Sequence, residues 1–404
     1  MFHQMKLSAW TSGIRSKLNL PLRLELWNGD RVDLSSDQPR VRIRVPGPGS
    51  LRYLLSPSLG SLGEAYVEGA LEIHGCAADM IQIGSALAEN SGMPSRTTRF
   101  ADAALRLMSP HTRARDAEAI RYHYDVSNEF YGLFLDPAMV YSCAYFENGD
   151  EDLATAQQKK IDHILTKIGV RPGHTLLDIG CGWGALVLRA AQKFGARCVG
   201  VTLSERQHDL ARQRVREAGL QDRIEIRLQD YRDVAGQFDR ITSVGMFEHV
   251  GLQHLTAYFG KVGSLLAPGG VVMNHGITTT DIKERSSPFG GGDFIDKYVF
   301  PNGEVAHLST VVSTMQQGGL EVRDVENLRR HYARTCSLWA ENFERNAAQL
   351  RQVADAKTFR IWHVYLAGCA YAFAHDWISL YQIVCTKAGE DPGQLPWSRR
   401  YMYP

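Results

Sequence analysis

The sequence predicts an α/β protein built on a mostly parallel sheet, with a small strand-bearing module ahead of it. Two observations carry this expectation. The run Leu176-Leu177-Asp178-Ile179-Gly180-Cys181-Gly182-Trp183-Gly184 reads as a buried strand that breaks into a glycine loop and then a helix. From about residue 170 onward, strand-like runs are spaced by helical ones, the alternation that belongs to crossover helices over a parallel sheet.

Taken in order, residues up to about 105 hold strand-like runs at 22–27, 41–45 and 70–74, separated by the turn clusters Asn28-Gly29-Asp30 and Pro46-Gly47-Pro48-Gly49. The polar stretch 89–95 reads as a loop, and the arginine-rich segment 99–121 as a linking helix. After the glycine-loop strand come strands at 197–203, 224–228, 238–244, 270–274, 322–328 and 379–386. Ser204 reads as a helix cap, with Gln207 three residues on completing a capping box, and Pro268-Gly269-Gly270 as the turn that launches the strand at 270. Two insertions, 278–319 and 332–376, are placed to cover strand ends and wall a substrate cavity.

A chain of 404 residues is long enough for two domains, and 44% hydrophobic against 22% charged residues fits an ordinary globular protein. The formal net charge of +1 gives no field for nucleic acid, and the basic residues Arg15, Lys17, Arg23, Arg31, Arg40, Arg42 and Arg44 read as a solvated face. The cysteines at 76, 143, 181, 198, 336, 369 and 385 form no C-x-x-C pair, which argues against a disulfide framework or zinc ribbon and for a reducing compartment. No leader-like segment opens the sequence, and the apolar stretch 361–385 is interrupted by His363, His375 and Asp376. A cytoplasmic protein without a span is expected, and no metal site is predicted.

Glycines at 180, 182 and 184 let the backbone approach a ligand closely, while Asp178 brings a carboxylate to the strand end. A carboxylate suits a cationic cofactor better than a pyrophosphate. The G-x-G-x-G spacing lacks the third glycine of the dinucleotide fingerprint, and no Gly-Lys-Ser/Thr follows, so S-adenosylmethionine fits better than NAD or a P-loop nucleotide. Taken alone, such glycines also fit a tight turn.

Further motifs narrow the choice: Tyr141-Ser142-Cys143-Ala144-Tyr145-Phe146, Gly245-Met246-Phe247-Glu248-His249-Val250-Gly251, Asn274-His275-Gly276-Ile277 and Arg330-His331-Tyr332-Ala333-Arg334-Thr335. With Tyr122-His123-Tyr124-Asp125, the segment 294–303 and Glu341-Asn342-Phe343-Glu344-Arg345-Asn346, they make residues 120–390 resemble the cyclopropane fatty acid synthase family of S-adenosylmethionine-dependent methyltransferases. The stretch 62–73 resembles the accessory lipid-binding domain of the phospholipid-acting members. The resemblance implies a Rossmann-like class I methyltransferase sheet of seven strands with helical lid insertions, plus a small N-terminal α+β lipid-binding domain. The implied boundaries are 1–105 for the accessory domain, 106–120 for a linker helix and 121–404 for the catalytic domain.

The activity so implied is attack of a cis double bond on the sulfonium methyl, followed by proton loss that closes a cyclopropane ring, with bound bicarbonate as the base. Its holders would be the backbone of Cys143 and Ile277 and the side chains of Glu248, His275 and Tyr332. Tyr141, Tyr145, Phe146, Phe247, Tyr298 and Tyr332 are candidates to flank the cation, each aromatic face being worth roughly 0.5–2 kcal/mol. Cofactor contacts carried over from the family are Tyr141, Ser142, Asp178, Gly180, Cys181, Gly182, Gly184, Thr202, Leu203, Ser204, Gln207, Asp230 and Tyr231. Gln207 would stand in for the ribose-binding acid that many methyltransferases carry.

Cys369 matches a cysteine regarded as catalytic in the family, yet a thiolate has no step in this chemistry and apolar surroundings raise a thiol's pKa, so a cavity-wall role is expected. Blander readings stand beside these: Cys143 as a small core residue, Glu248 as a carboxylate at a helix N-terminus, His275 as a hydrogen-bonded core histidine. The implied partners are unsaturated phospholipid acyl chains, reached by peripheral contact with the inner face of the membrane, and a second copy of the chain in a homodimer. Alternatives are a methyl-branching or methylene-forming methyltransferase and a non-catalytic lipid-binding protein.

Overall fold

In this computed structural model, which describes residues 2–90, 126–283, 288–300, 303–390 and 395–403, the strands form two sheets. The first comprises β1 (Leu22–Leu26), β2 (Arg31–Asp33), β3 (Val41–Val45) and β4 (Glu72–His74) in the order β2-β1-β3-β4. β1 and β2 are a hairpin whose turn needs Gly29 at φ +89°. On β3 the side chains of Val41, Ile43 and Val45 are buried while Arg42 and Arg44 face outward, so period-two alternation explains both the core and the solvated basic face.

The chain divides into two compact units. The smaller gathers the described residues of 1–110, 285–302 and 339–372, so the N-terminal sheet shares its unit with parts of both insertions. Its helix Leu59–Val67 opens with a true capping box between Ser58 and Ser61. At Gly63 a Cβ would lie 2.7 Å from the Phe294 ring, so only glycine permits that approach. The Tyr66 hydroxyl meets His363 Nδ1 at 3.0 Å, and His363 Nε2 meets Glu344 at 2.9 Å. The predicted linker helix and Tyr122-His123-Tyr124-Asp125 lie outside the described residues.

The larger unit holds β5 (Thr175–Ile179), β6 (Arg197–Thr202), β7 (Ile224–Leu228), β8 (Phe238–Val244), β9 (Leu266–Thr279), β10 (Leu320–Asn327) and β11 (Ile378–Lys387). Their order is β10-β11-β9-β8-β5-β6-β7; β11 runs antiparallel to both neighbours and the remaining pairs are parallel. This is the predicted seven-stranded sheet. β9 begins at Leu266 rather than 270, because Ala267-Pro268-Gly269-Gly270 forms a bulge within the strand: Phe238 pairs with Leu266, and the next pair is Arg240 with Val271.

Apolar side chains cover both faces. Leu176, Cys198, Met273 and Val384 pack with Ile161, Ile164, Ala190 and Ala191 from the helices Leu153–Lys167 and Ala185–Phe194. Leu177, Val201, Ile241, Val272 and Ile383 pack with Phe259, Val262, Val311 and Met315 from the helices Leu255–Leu265 and Leu308–Gln317. Alternation along the strands then sets Asp178, Thr242, His275 and Gln382 on the first face, beneath helix Leu153–Lys167. Among the described residues no helix is long and apolar enough to cross a membrane, and no group of three His, Cys, Asp or Glu is placed to hold a metal ion.

Candidate active site

A cavity of about 400 Å³ opens over the C-terminal ends of β5, β6 and β8, a volume in the range of small-molecule sites. The glycine loop makes its floor. Gly180 and Gly182 adopt φ +79° and +53°, and the N–H groups of Gly180 and Cys181 both donate to Val201 O, at 2.9 and 3.0 Å, which ties the loop to β6. Tyr141, Ser142, Asp178, Gly180, Cys181, Gly182, Thr202, Leu203, Gln207, Asp230 and Tyr231 all line the cavity.

Gly184 and Ser204 are not among its lining residues, for a local reason. Gly184 starts helix Ala185–Phe194 at φ +85°, where a Cβ would press on Ala211 at 3.2 Å. Ser204 caps helix Glu205–Glu217, accepting from Gln207 N at 3.3 Å. The reciprocal half of the expected capping box is missing. Gln207 Oε1 instead accepts the Thr202 hydroxyl at 2.8 Å, and Ser204 N donates to that same Thr202 oxygen at 3.2 Å. The Gln207 side chain is thereby turned toward the cavity wall.

Asp178 is fully buried, and its Oδ1 accepts the Thr242 hydroxyl at 2.7 Å. Burial pushes its carboxyl up to about 6, against the pull of Thr242 and the Lys160 ammonium. Lys160, which sequence reading passed over, lines the same cavity and donates to Ser142 Oγ at 2.6 Å; burial lowers it to about 8. Asp230 is held from both oxygens by Arg232 at 2.9 and 2.6 Å, and the Tyr231 ring meets Tyr258 edge-on at 5.2 Å.

Two further buried groups lie along β9 near its C-terminal end, Glu248 at Gly276 and Ile277 and His275 on the face of Asp178. Ile277 N donates to Glu248 Oε1 at 2.7 Å, while Glu248 Oε2 is buried and, among the described residues, without a hydrogen-bond partner. Burial raises the Glu248 carboxyl to about 7. His275, opposite Gln382 in the β9/β11 register, is also fully buried, and burial together with the nearby Lys160 lowers its pKa well below the usual histidine value. Gln382 Nε2 lies 3.3 Å from His275 Nδ1. An amide nitrogen only donates, so with the amide in this orientation Nδ1 accepts and the imidazole proton sits on Nε2. That Nε2 is buried and, among the described residues, has no partner.

Cys143 and Tyr332 both meet Leu328. Cys143 Sγ has Ala144 O at 3.2 Å as its nearer acceptor and Leu328 O at 3.8 Å, Tyr332 N donates to Leu328 O at 3.0 Å, and Leu328 N donates to Leu380 O, whose residue pairs with Ile277. The Cys143 side chain is a protonated thiol, its pKa raised by burial. Ile277's N–H is engaged with Glu248 and so fixes that carboxylate.

The aromatic candidates do not all converge. Tyr141 lines the cavity, and Tyr332 packs on Phe373 with ring centroids 4.5 Å apart. Tyr145 is stacked between His163 at 4.2 Å and His331 at 4.8 Å. Tyr298 belongs to the smaller unit, where its hydroxyl donates to Glu68 at 2.8 Å. Cys369 belongs to that unit too, and burial pushes its thiol up to about 12.

Residues 111–383 match the family model described as mycolic acid cyclopropane synthetase, and residues 9–93 match one described as a domain of unknown function. The chain is 46% identical to a probable fatty acid methyltransferase of Pseudomonas putida, covering 96% of this chain and 97% of that protein. It is 34% identical to the tuberculostearic acid methyltransferase UfaA1 of Mycobacterium tuberculosis, covering 93% and 90%. Among solved structures, mycolic acid cyclopropane synthase CmaA1 complexed with SAH and CTAB aligns with a TM-score of 0.64 at 36% identity, over 69% of this chain and 99% of that one.

Proposed function

Because the chain belongs to the mycolic acid cyclopropane synthetase family of S-adenosylmethionine-dependent lipid methyltransferases, we propose that it builds a cyclopropane ring across a cis double bond of an unsaturated phospholipid acyl chain. The observation that carries this reading is that Glu248 Oε2 and His275 Nε2, belonging to groups set along the same stretch of β9, are each buried and unsatisfied among the described residues. Buried polar atoms left without partners are rare, and an ordered water or a bound ligand is a usual explanation. One side of this pair accepts and the other donates, which fits hydrogencarbonate: its O–H donates and its remaining oxygens accept.

The cofactor reading has its own fit. Asp178, fully buried at the glycine loop, matches a cationic ligand better than a pyrophosphate, and the cavity has room for one small molecule. S-adenosylmethionine supplies an electrophilic methyl group. The chain's residues position and shield: the glycine loop lets backbone approach the ligand, and Tyr141 offers an aromatic wall. Bicarbonate supplies a base that Glu248 and His275 hold. His275 donates from Nε2, and Glu248, poised near neutrality, takes up or shares a proton at Oε2.

An acyl chain drawn through water loses about 0.8 kcal/mol per methylene, so transfer directly from a bilayer is favoured. The outward-facing Arg42 of β3 suits an anionic headgroup, while Arg44 beside it is paired with Glu72, and the exposed Arg42 supports peripheral contact at the inner face of the membrane by a cytoplasmic protein. The same reading makes the enzyme a homodimer, checked by its mass in solution.

The names of two relatives, a probable fatty acid methyltransferase and a tuberculostearic acid methyltransferase, speak of methyl transfer without a ring and so favour a second reading in which the methylated chain ends as a branch or a methylene group. Incubation with unsaturated phospholipid vesicles and labelled S-adenosylmethionine separates them by mass spectrometry. A ring gains CH2 and survives mild hydrogenation, an exocyclic methylene gains CH2 and is reduced, and a saturated branch, formed only when a hydride donor such as a reduced nicotinamide is added to the incubation, gains CH4. Absence of labelled lipid removes both readings; insensitivity of turnover to bicarbonate depletion removes the base assignment.

A further inference from the structure

Lys160 is buried to 2% exposure on helix Leu153–Lys167, and it lines the same cavity as Asp178. An ammonium has three donors. One goes to Ser142 Oγ at 2.6 Å, and among the described residues no other acceptor and no carboxylate stands within hydrogen-bond or ion-pair reach of it. Burying a charged amine with one neutral partner is unfavourable, and such a group is kept where a ligand completes its shell. Asp178, which lines the same cavity, has one oxygen on Thr242 and, among the described residues, no second hydrogen-bond partner. The cavity therefore presents one unpaired cation and one under-satisfied anion to whatever enters.

We infer that Lys160 binds the carboxylate of the methionine end of S-adenosylmethionine, while Asp178 faces its ammonium, so that the pair reads the zwitterion and sets the direction in which the sulfonium points. This rests on the cofactor reading above and adds the residue that recognises one end of the cofactor. A buried Lys160 without that carboxylate repels a cationic ligand, so the carboxylate is what lets the site hold an ammonium and a sulfonium beside a lysine. The lowered pKa of Lys160 agrees with a cation waiting for its counter-ion.

The test is calorimetric titration of the full chain with S-adenosylmethionine and with its decarboxylated form. The parent should prefer the carboxylated cofactor by roughly tenfold or more, as expected for a charge-assisted hydrogen bond. Lys160→Met, and Lys160→Gln, which keeps a donor for Ser142, should erase that preference by losing affinity for the carboxylated ligand while holding or gaining affinity for the other. Thermal melts confirm that each variant is folded. A parent that binds both ligands alike overturns the inference without any variant, and so does a folded variant that retains the parental preference. A parent that binds neither ligand overturns the cofactor reading itself, a result distinct from both.

Discussion

The Phe247 ring lies against the backbone of Gly276 so closely that a Cβ built there would sit 1.9 Å from Cε1 and 3.1 Å from Glu248 Oε1. A hydrogen at this position lets Phe247 and Glu248 dock on β9 between His275 and Ile277. Gly276→Ala must push both away. Overpacking of this kind destabilises by about 1–3 kcal/mol, seen as a lower melting temperature. Turnover should fall by roughly tenfold or more as Glu248 leaves Ile277 N, with cofactor affinity nearly unchanged. A variant with parental melting and turnover would show that the ring has room to move.

Glu248→Gln should keep cofactor affinity within about threefold and lower turnover by roughly a hundredfold or more, the usual scale for losing a proton acceptor. Equal turnover of variant and parent would refute the proton assignment.

The same residue sets a pH dependence of stability. Its carboxyl is raised from 4.5 to about 7 in the folded protein. Such a group favours folding fully below pH 4.5, and that contribution is lost as pH climbs through 7, a change on the order of 3 kcal/mol. Glu248→Gln removes the slope. Chemical denaturation at a series of pH values should find the variant gaining on the parent between about pH 5 and 8; parallel curves would mean that Glu248 ionises freely.

Gly180 stands at φ +79° with Met246 Cγ 3.2 Å from where its Cβ would be. Gly180→Val combines an unfavourable backbone conformation with a crowded side chain, so calorimetry should show a loss of cofactor affinity of roughly a hundredfold or more.

Cys369 is a protonated thiol with its pKa pushed up to about 12. Cys369→Ala should therefore retain turnover within about threefold, and alkylation of Cys369 near pH 8 should be far slower than that of an unperturbed thiol. Loss of turnover by a hundredfold in a folded Cys369→Ala protein would restore the cysteine to the chemistry.

The sheet was legible because its strands are short apolar runs ended by glycine, and the cofactor loop because positive-φ glycines leave a mark in sequence. What escaped were residues whose partners are distant in the chain. Lys160 and Lys167 fall on the same helical stripe as Ala156 and Ile164, a spacing that puts them inside, yet a lysine in a helix reads as solvated unless its register is followed. Lys167 proves to be fully buried between Asp324 and Glu326, at 3.0 and 2.8 Å. Gln382 gives no local sign of its contact with His275, because only β11 pairing with β9 brings them together. The capping box at Ser204 matched a pattern whose second half lost to Thr202, a competitor two residues upstream.

The bulge at Ala267-Pro268-Gly269-Gly270 also decides where this strand tolerates change in length. Beyond it, His275 and Ile277 share one side and Gly276 the other, so inserting or deleting a single residue between Val271 and Thr279 would exchange imidazole and ring contact at a stroke. Within the bulge the sheet already absorbs surplus backbone. Loop grafts and reporter peptides belong there, upstream of the alternating stretch, where an added residue leaves the downstream alignment untouched.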